Sequence, residues 1–135
     1  MKLCNETITV INSRFDPEQD CDTYSATVIS GVSWFCEIAS SVDGSGLKAA
    51  DSYTVRIPEN ADCAKSYVDP LAYASADPES VFTLKNGDSI VRGTVTGDSL
   101  GPSALREQYS EVITILGVTD NRRARHAPHW KVVGA

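Results

Sequence analysis

The stretch from Asn86 to Asp98, NGDSIVRGTVTGD, constrains the fold of this chain more than any other. Asn86-Gly87-Asp88 is a turn in which glycine takes a positive φ without steric cost, and Ser89 to Thr94 are β-prone or β-tolerant. Gly97-Asp98 closes the unit as a second turn. A turn, a hydrophobic pair, a basic residue and another glycine in this order are frequent in small β-barrels. There the glycines let a strand bend and let a neighbouring backbone come close. The segment specifies architecture and carries no catalytic signature.

The remaining segments repeat this β grammar. Thr7 to Phe15, TITVINSRF, is β-branched and nearly continuous until Asp16-Pro17-Glu18 breaks it. Thr23 to Ile29 predicts a second strand, and Gly31 separates it from a third over Val32 to Ile38. In the third, Val32, Trp34, Cys36 and Ile38 alternate with Ser33, Phe35 and Glu37, which places Trp34 in the core and Cys36 on the same face. Ser40 to Asp51, SSVDGSGLKAAD, has almost nothing to bury and is expected to be a mobile loop. Ser52 to Ile57 is again a strand, stopped by Pro58, so the loop becomes the long tip of a hairpin.

Asn60 to Ser80 shows no sustained period and reads as an irregular excursion, followed by a short strand over Val81 to Lys85. Pro102 to Tyr109 follows Gly101 with proline at a first-turn position and predicts one short helix. Glu111 to Val118 and Trp130 to Val133 are strands, and residues 119–129 between them form a polar C-terminal arm. The expected fold is mainly β: one domain over 1–135, an antiparallel β-barrel or sandwich with one short helix and a long hairpin loop. A chain of 135 residues buries roughly two-thirds of its unfolded surface without needing disulfides or a metal.

Charge narrows the function classes. The formal net charge is −6, but Met1 to Leu100 carries seven Lys/Arg against fifteen Asp/Glu, while Gly101 to Ala135 carries five against three. An acidic body lacks the basic face that releases counterions from phosphate, so general nucleic-acid coating is disfavoured and any DNA contact is local to Arg122, Arg123 and Arg125. The opening MKLCNETITV has no apolar run, which argues against a secretory signal or membrane helix and for a reducing cytoplasmic origin. Cys4, Cys21, Cys36 and Cys63 form no C-x-x-C pair; four cysteines allow two disulfides, but they read first as free thiols used as small apolar groups.

Candidate chemistry is sparse. His126 and His129 stand three apart with Pro128 between them and no nearby carboxylate or Cys, so no metal site is expected. No G-x-S-x-G elbow is present, and Gly93, Gly97 and Gly101 lack the Lys-Ser/Thr of a phosphate loop. The Asp43-Gly44-Ser45-Gly46 tip would hold Ca²⁺ only with acidic ligands from elsewhere. Arg122-Arg123-Ala124-Arg125 is the one concentrated positive charge. It reads either as a solvated arm or as an anchor to acidic patches on neighbouring copies.

The opening ETITVIN, GVSWFCEI, SYTVRIP, FTLKNGDSIVRG and the closing DNRRARHAPHWKVVG together resemble the small neck or minor capsid proteins of tailed phages and prophages of Gram-positive bacteria. The resemblance implies a head-completion or stopper-like β-barrel that forms a homo-oligomeric ring beneath the portal, with a long hairpin loop reaching into the DNA channel. Ser40 to Asp51 is then the matching loop, with Asp43, Gly44, Ser45, Gly46, Leu47 and Lys48 facing the channel. It implies no catalytic residue, cofactor or metal. The implied partners are further copies, portal or adaptor and tail proteins, with incidental contact to packaged DNA and none to membrane. The implied location is the virion, after the host cytoplasm. The alternative is a small oligosaccharide- or oligonucleotide-binding barrel, which needs an aromatic platform that the scattered Phe, Tyr and Trp do not display. A hydrolase whose triad assembles in space is a third reading.

Overall fold

β1 (Glu6–Asp16) is buried at five consecutive positions, Ile8 to Asn12, so both of its faces are covered. A computed structural model shows how, and it describes residues 5–43, 46–77, 80–95, 100–123, 125 and 127–135, with backbone alone for 37–51. β2 (Cys21–Asp43) and β3 (Gly46–Pro58) follow, then β4 (Asp62–Cys63), β5 (Ser66–Tyr67), α1 (Pro70–Tyr73) and β6 (Val81–Phe82). β7 (Ser89–Arg92), α2 (Pro102–Gln108), β8 (Val112–Asn121) and β9 (His129–Gly134) complete the order. The mainly β fold expected from the alternation is therefore present.

The main sheet runs β1-β7-β8-β9-β3-β2-β4, and β1 also pairs with β2, so the pairing returns on itself. All of these pairs are antiparallel; β5 and β6 form a separate small parallel pair. The strand arrangement is that of a barrel or sandwich in which β2 and β8 each serve two sheets. The first part of β2 pairs with β1 and the part from Ser33 onward with β3. Likewise β8 pairs with β7 through Val112 to Thr114 and with β9 from Ile115.

Both changes of partner coincide with an inserted residue. Gly31, at φ 85°, is left unpaired between Ser30 and Val32, and Leu116 between Ile115 and Gly117. An extra residue bends a strand and increases its twist, which is what a strand crossing from one sheet to another requires. Gly31 thus bends one continuous strand; the break expected there is absent because the glycine sits inside a bulge and not in a turn.

Apolar side chains fill two layers. Ile8, Val10, Ile90, Ile113, Val55 and Val132 belong to the inner cluster. Ile11, Val91, Leu105 and Val112 form the second, where α2 lays the fully buried Leu105 onto the outer face of β1, β7 and β8. Gly134 packs so closely on β8 that a Cβ there would meet the Thr114 carbonyl oxygen at 2.7 Å and Ile113 Cδ1 at 2.9 Å, so glycine is required.

Several local expectations are corrected. A second helix, α1, forms inside the excursion 60–80, because Asp69 accepts from Ala72 N at 2.9 Å and Pro70 stands in its first turn. Arg14 ties its end down, donating to Ala76 O at 2.6 Å with its guanidinium 5.9 Å from the Tyr73 ring. β6 stops at Phe82 and β7 at Arg92, where Gly93 takes φ 102°; Gly97 and Asp98 lie outside the described residues. Trp34 is half-buried at the margin of the inner cluster, its ring tilted against Tyr53 at 5.5 Å between centroids, and Cys36 is exposed. The alternation is real, but β2 outruns the body that would cover its far end. Cys21 is also exposed and Cys63 half-buried, both as free thiols, and Cys4 lies outside the described residues.

Candidate functional site

Three places hold the residues that the sequence singled out. The first is the segment 40–51, expected as a loop. Its backbone is paired strand: Ser40 faces Ala49, Val42 faces Leu47, and Asp43 faces Gly46. Gly44 and Ser45 lie outside the described residues. Weak β propensity at GSGLKAAD yields here to register, because the well-patterned parts of β2 and β3 align the strands and the ladder propagates from them.

Pairing of β3 with β9 ends at Tyr53, whereas pairing with β2 continues from Ser52 to Gly46. The seven pairs from Glu37–Ser52 to Asp43–Gly46 form a ribbon without a third strand in the described ladders. At about 3.3 Å per residue it runs roughly 23 Å past the sheet. Of the six channel candidates, Asp43, Gly46, Leu47 and Lys48 occupy its far end.

The second place is the arginine segment. Residues 119–129 are not an arm. Thr119 to Asn121 belong to β8 and His129 to β9, with Asn121 paired to His129, so 122–128 is a hairpin connection. Arg122 is committed within the molecule: its guanidinium pairs with Asp120 at 2.7 Å and lies 5.2 Å from the Tyr67 ring and 5.1 Å from the Trp130 ring. That guanidinium holds the Asp120 carboxyl down at about 2. Burial pushes the Tyr67 phenol up, with the Arg122 charge opposing it.

Arg123 and Arg125 are exposed, with no ion pair among the described residues, so Arg122 alone of the three is committed to a salt bridge there. His129 donates from Nδ1 to Ala127 O at 2.8 Å and accepts at Nε2 from Asn121 Nδ2 at 3.3 Å, which leaves no ring nitrogen for a metal. His126 lies outside the described residues.

Sequence reasoning also missed that Tyr67, Phe82 and Trp130 gather in space. Tyr67 stands 4.7 Å from Trp130 and 5.8 Å from Phe82, beside a cleft of about 340 Å³. Trp130 is only 5% exposed and Arg122 lies across its face, so the rings offer no open platform for a base or sugar. The signal was the i+8 relation of Arg122 and Trp130 across a hairpin; Tyr67 carried none.

The third place is the turn first singled out. Gly87 takes φ 93°, as the turn requires, but Asp88 beside it is 2% exposed. Its carboxylate accepts from Asn12 Nδ2 at 2.9 Å, from Ser13 Oγ at 2.9 Å and from Lys85 Nζ. Asn12 in turn donates to Thr83 O at 2.7 Å and accepts from Thr83 N at 3.1 Å. Both carboxylate oxygens of Asp88 accept within the fold, so this network locks the turn to β1.

Compared with known proteins, residues 3–135 match a family described as "Family of unknown function (DUF6751)", and the chain belongs to that family. Neither the curated proteins nor the solved structures gave a match. Among the described residues no helix is long and apolar enough to cross a membrane, and no group of three or more His, Cys, Asp or Glu is placed to hold a metal ion.

Proposed function

We propose that the chain is a non-enzymatic structural protein of a phage or prophage virion, joining head and tail as an oligomeric ring in the neck. The single observation that carries this reading is the ribbon from Glu37 to Ser52. A mainly β body with a two-stranded ribbon running beyond its sheet suits a ring subunit that sends an element toward a central channel. A loop would serve a binding site as well, but a paired ribbon keeps its direction over its length, as a channel element must. The implied partners are further copies and the portal, adaptor and tail proteins of the same particle. The protein passes from host cytoplasm to virion on assembly.

The gathered Tyr67, Phe82 and Trp130 favour a second reading, a small oligosaccharide- or oligonucleotide-binding barrel. It ranks below the first because Arg122 already occupies the ring faces a ligand would need. Mass spectrometry of purified, nuclease-treated particles tests the leading reading. The chain is expected at several copies per portal ring, and particles free of it would overturn the assignment.

A further inference from the structure

The outer face of β2, β3, β9 and β8 carries two neighbouring cross-strand rows. One row is Phe35, Thr54, Val133 and Gly117, with the bulged Leu116 beside it. Phe35 is 54% and Leu116 59% exposed, an unusual placement for side chains of this size on a sheet whose inner face is filled. The next row is Ser33, Arg56, Lys131 and Thr119, and neither Arg56 nor Lys131 has an ion pair among the described residues. This face is therefore apolar and basic in a chain of net charge −6.

The complement lies on the β1–β2 hairpin. Its tip carries Asp16, Glu18, Asp20 and Asp22 with no basic residue between them, and Phe15, paired with Asp22, is 56% exposed. Asp16 is used inside the turn, accepting from Glu18 N at 3.0 Å, while Glu18, Asp20 and Asp22 have no ion pair among the described residues. One surface is thus apolar with positive charge and the other apolar with negative charge.

We propose that the acidic β1–β2 tip of one copy docks on the Phe35–Leu116 face of the next, with Glu18 and Asp22 against Arg56 and Lys131. The contact is head-to-tail: each copy uses both surfaces once, the arrangement that closes into a ring when the rotation allows it. It rests on the ring reading above and moves the subunit contact away from Arg122, which is spent within its own chain. Opposite charges fix the register and speed the encounter, and the exposed apolar side chains supply the area.

Analytical ultracentrifugation of the full chain at low salt tests the docking, with a face variant, Arg56→Glu with Lys131→Glu, and a tip variant, Glu18→Lys with Asp22→Lys. The parent is expected to associate at micromolar concentration and to dissociate as salt rises, since screening shortens to roughly 3 Å at 1 M. Each variant alone should be at least tenfold weaker in association. A mixture of the two should recover association as an alternating 1:1 assembly, because every tip then meets a face of opposite charge, and one chain carrying both reversals should associate like the parent. Circular dichroism of each variant guards against misfolding, and recovery in the mixture could not come from unfolded chains. If the parent associates and the reversals leave its affinity unchanged, the docking is overturned while the ring reading stands. A parent that stays monomeric at low salt overturns the docking too, and the particle composition then judges the ring reading separately.

Discussion

Replacing Asp88 with Ala is expected to destabilise the fold by about 3 kcal/mol, near the lower end for removing one partner of a buried ion pair. The carboxylate is almost fully buried and receives Asn12, Ser13 and Lys85. Removing it strands the Asn12 amide N–H in a closed interior and leaves Lys85 without its counter-charge. Lys85 is 27% exposed and can reach water, which keeps the loss below the upper end for such pairs. Asp88→Asn should also destabilise, because it turns an amide N–H toward donors. In urea the midpoint should fall with the slope unchanged, as expected when stability drops without a change in the surface exposed. A loss under about 0.5 kcal/mol, the range of ordinary surface changes, would show that the network contributes little.

The second large effect concerns the ribbon. Cys36 and Tyr53 are directly paired, so residues 37–52 can be replaced by Asn-Gly, which closes a two-residue hairpin at that point. The body should fold as before, since the pairing of β3 with β9 begins at Tyr53 and does not involve the ribbon. The shortened protein should still enter particles yet fail to hold packaged DNA, with infectious titre reduced by several orders of magnitude. Full titre from particles shown to contain the shortened chain would remove the ribbon from the mechanism.

Much of the architecture was legible because strand signals are local, whether a β-branched run as in Thr7 to Phe15 or period-two alternation as in Val32 to Ile38. Thr7 to Phe15, Val32 to Ile38, Ser52 to Ile57 and Trp130 to Val133 each lie within an observed strand. The helix after Gly101 was legible from its proline and helix formers, and ends within a residue of the expected boundary. What was hidden depended on partners far away along the chain. Asp88 reads as a turn residue, since nothing local says that Asn12 and Ser13 will meet it from β1. Arg122 reads as part of a solvated arm or an anchor to another copy, because nothing local says that Tyr67 will reach it from an excursion without periodicity. The ribbon was read as a loop because propensity was judged within GSGLKAAD alone, while its pairing is set by the register of the strands leading into it. Gly31 looked like a boundary because a bulge glycine and a turn glycine are the same residue in sequence.

The arginine segment shows what this means for a site. Three clustered arginines suggested one anchor, yet the fold spends Arg122 on Asp120 and two rings and leaves Arg123 and Arg125 on a hairpin connection. The apolar and basic face used in the proposed docking was invisible as a unit, since Phe35, Arg56, Leu116 and Lys131 come from four strands that only the register aligns.

The most direct measurement is electron microscopy of lysates from a strain in which the gene is deleted and then restored in trans. The account predicts full heads and finished tails that remain unjoined in the deletion, with joined particles returning on complementation. Normal joined particles in the deletion strain would contradict it.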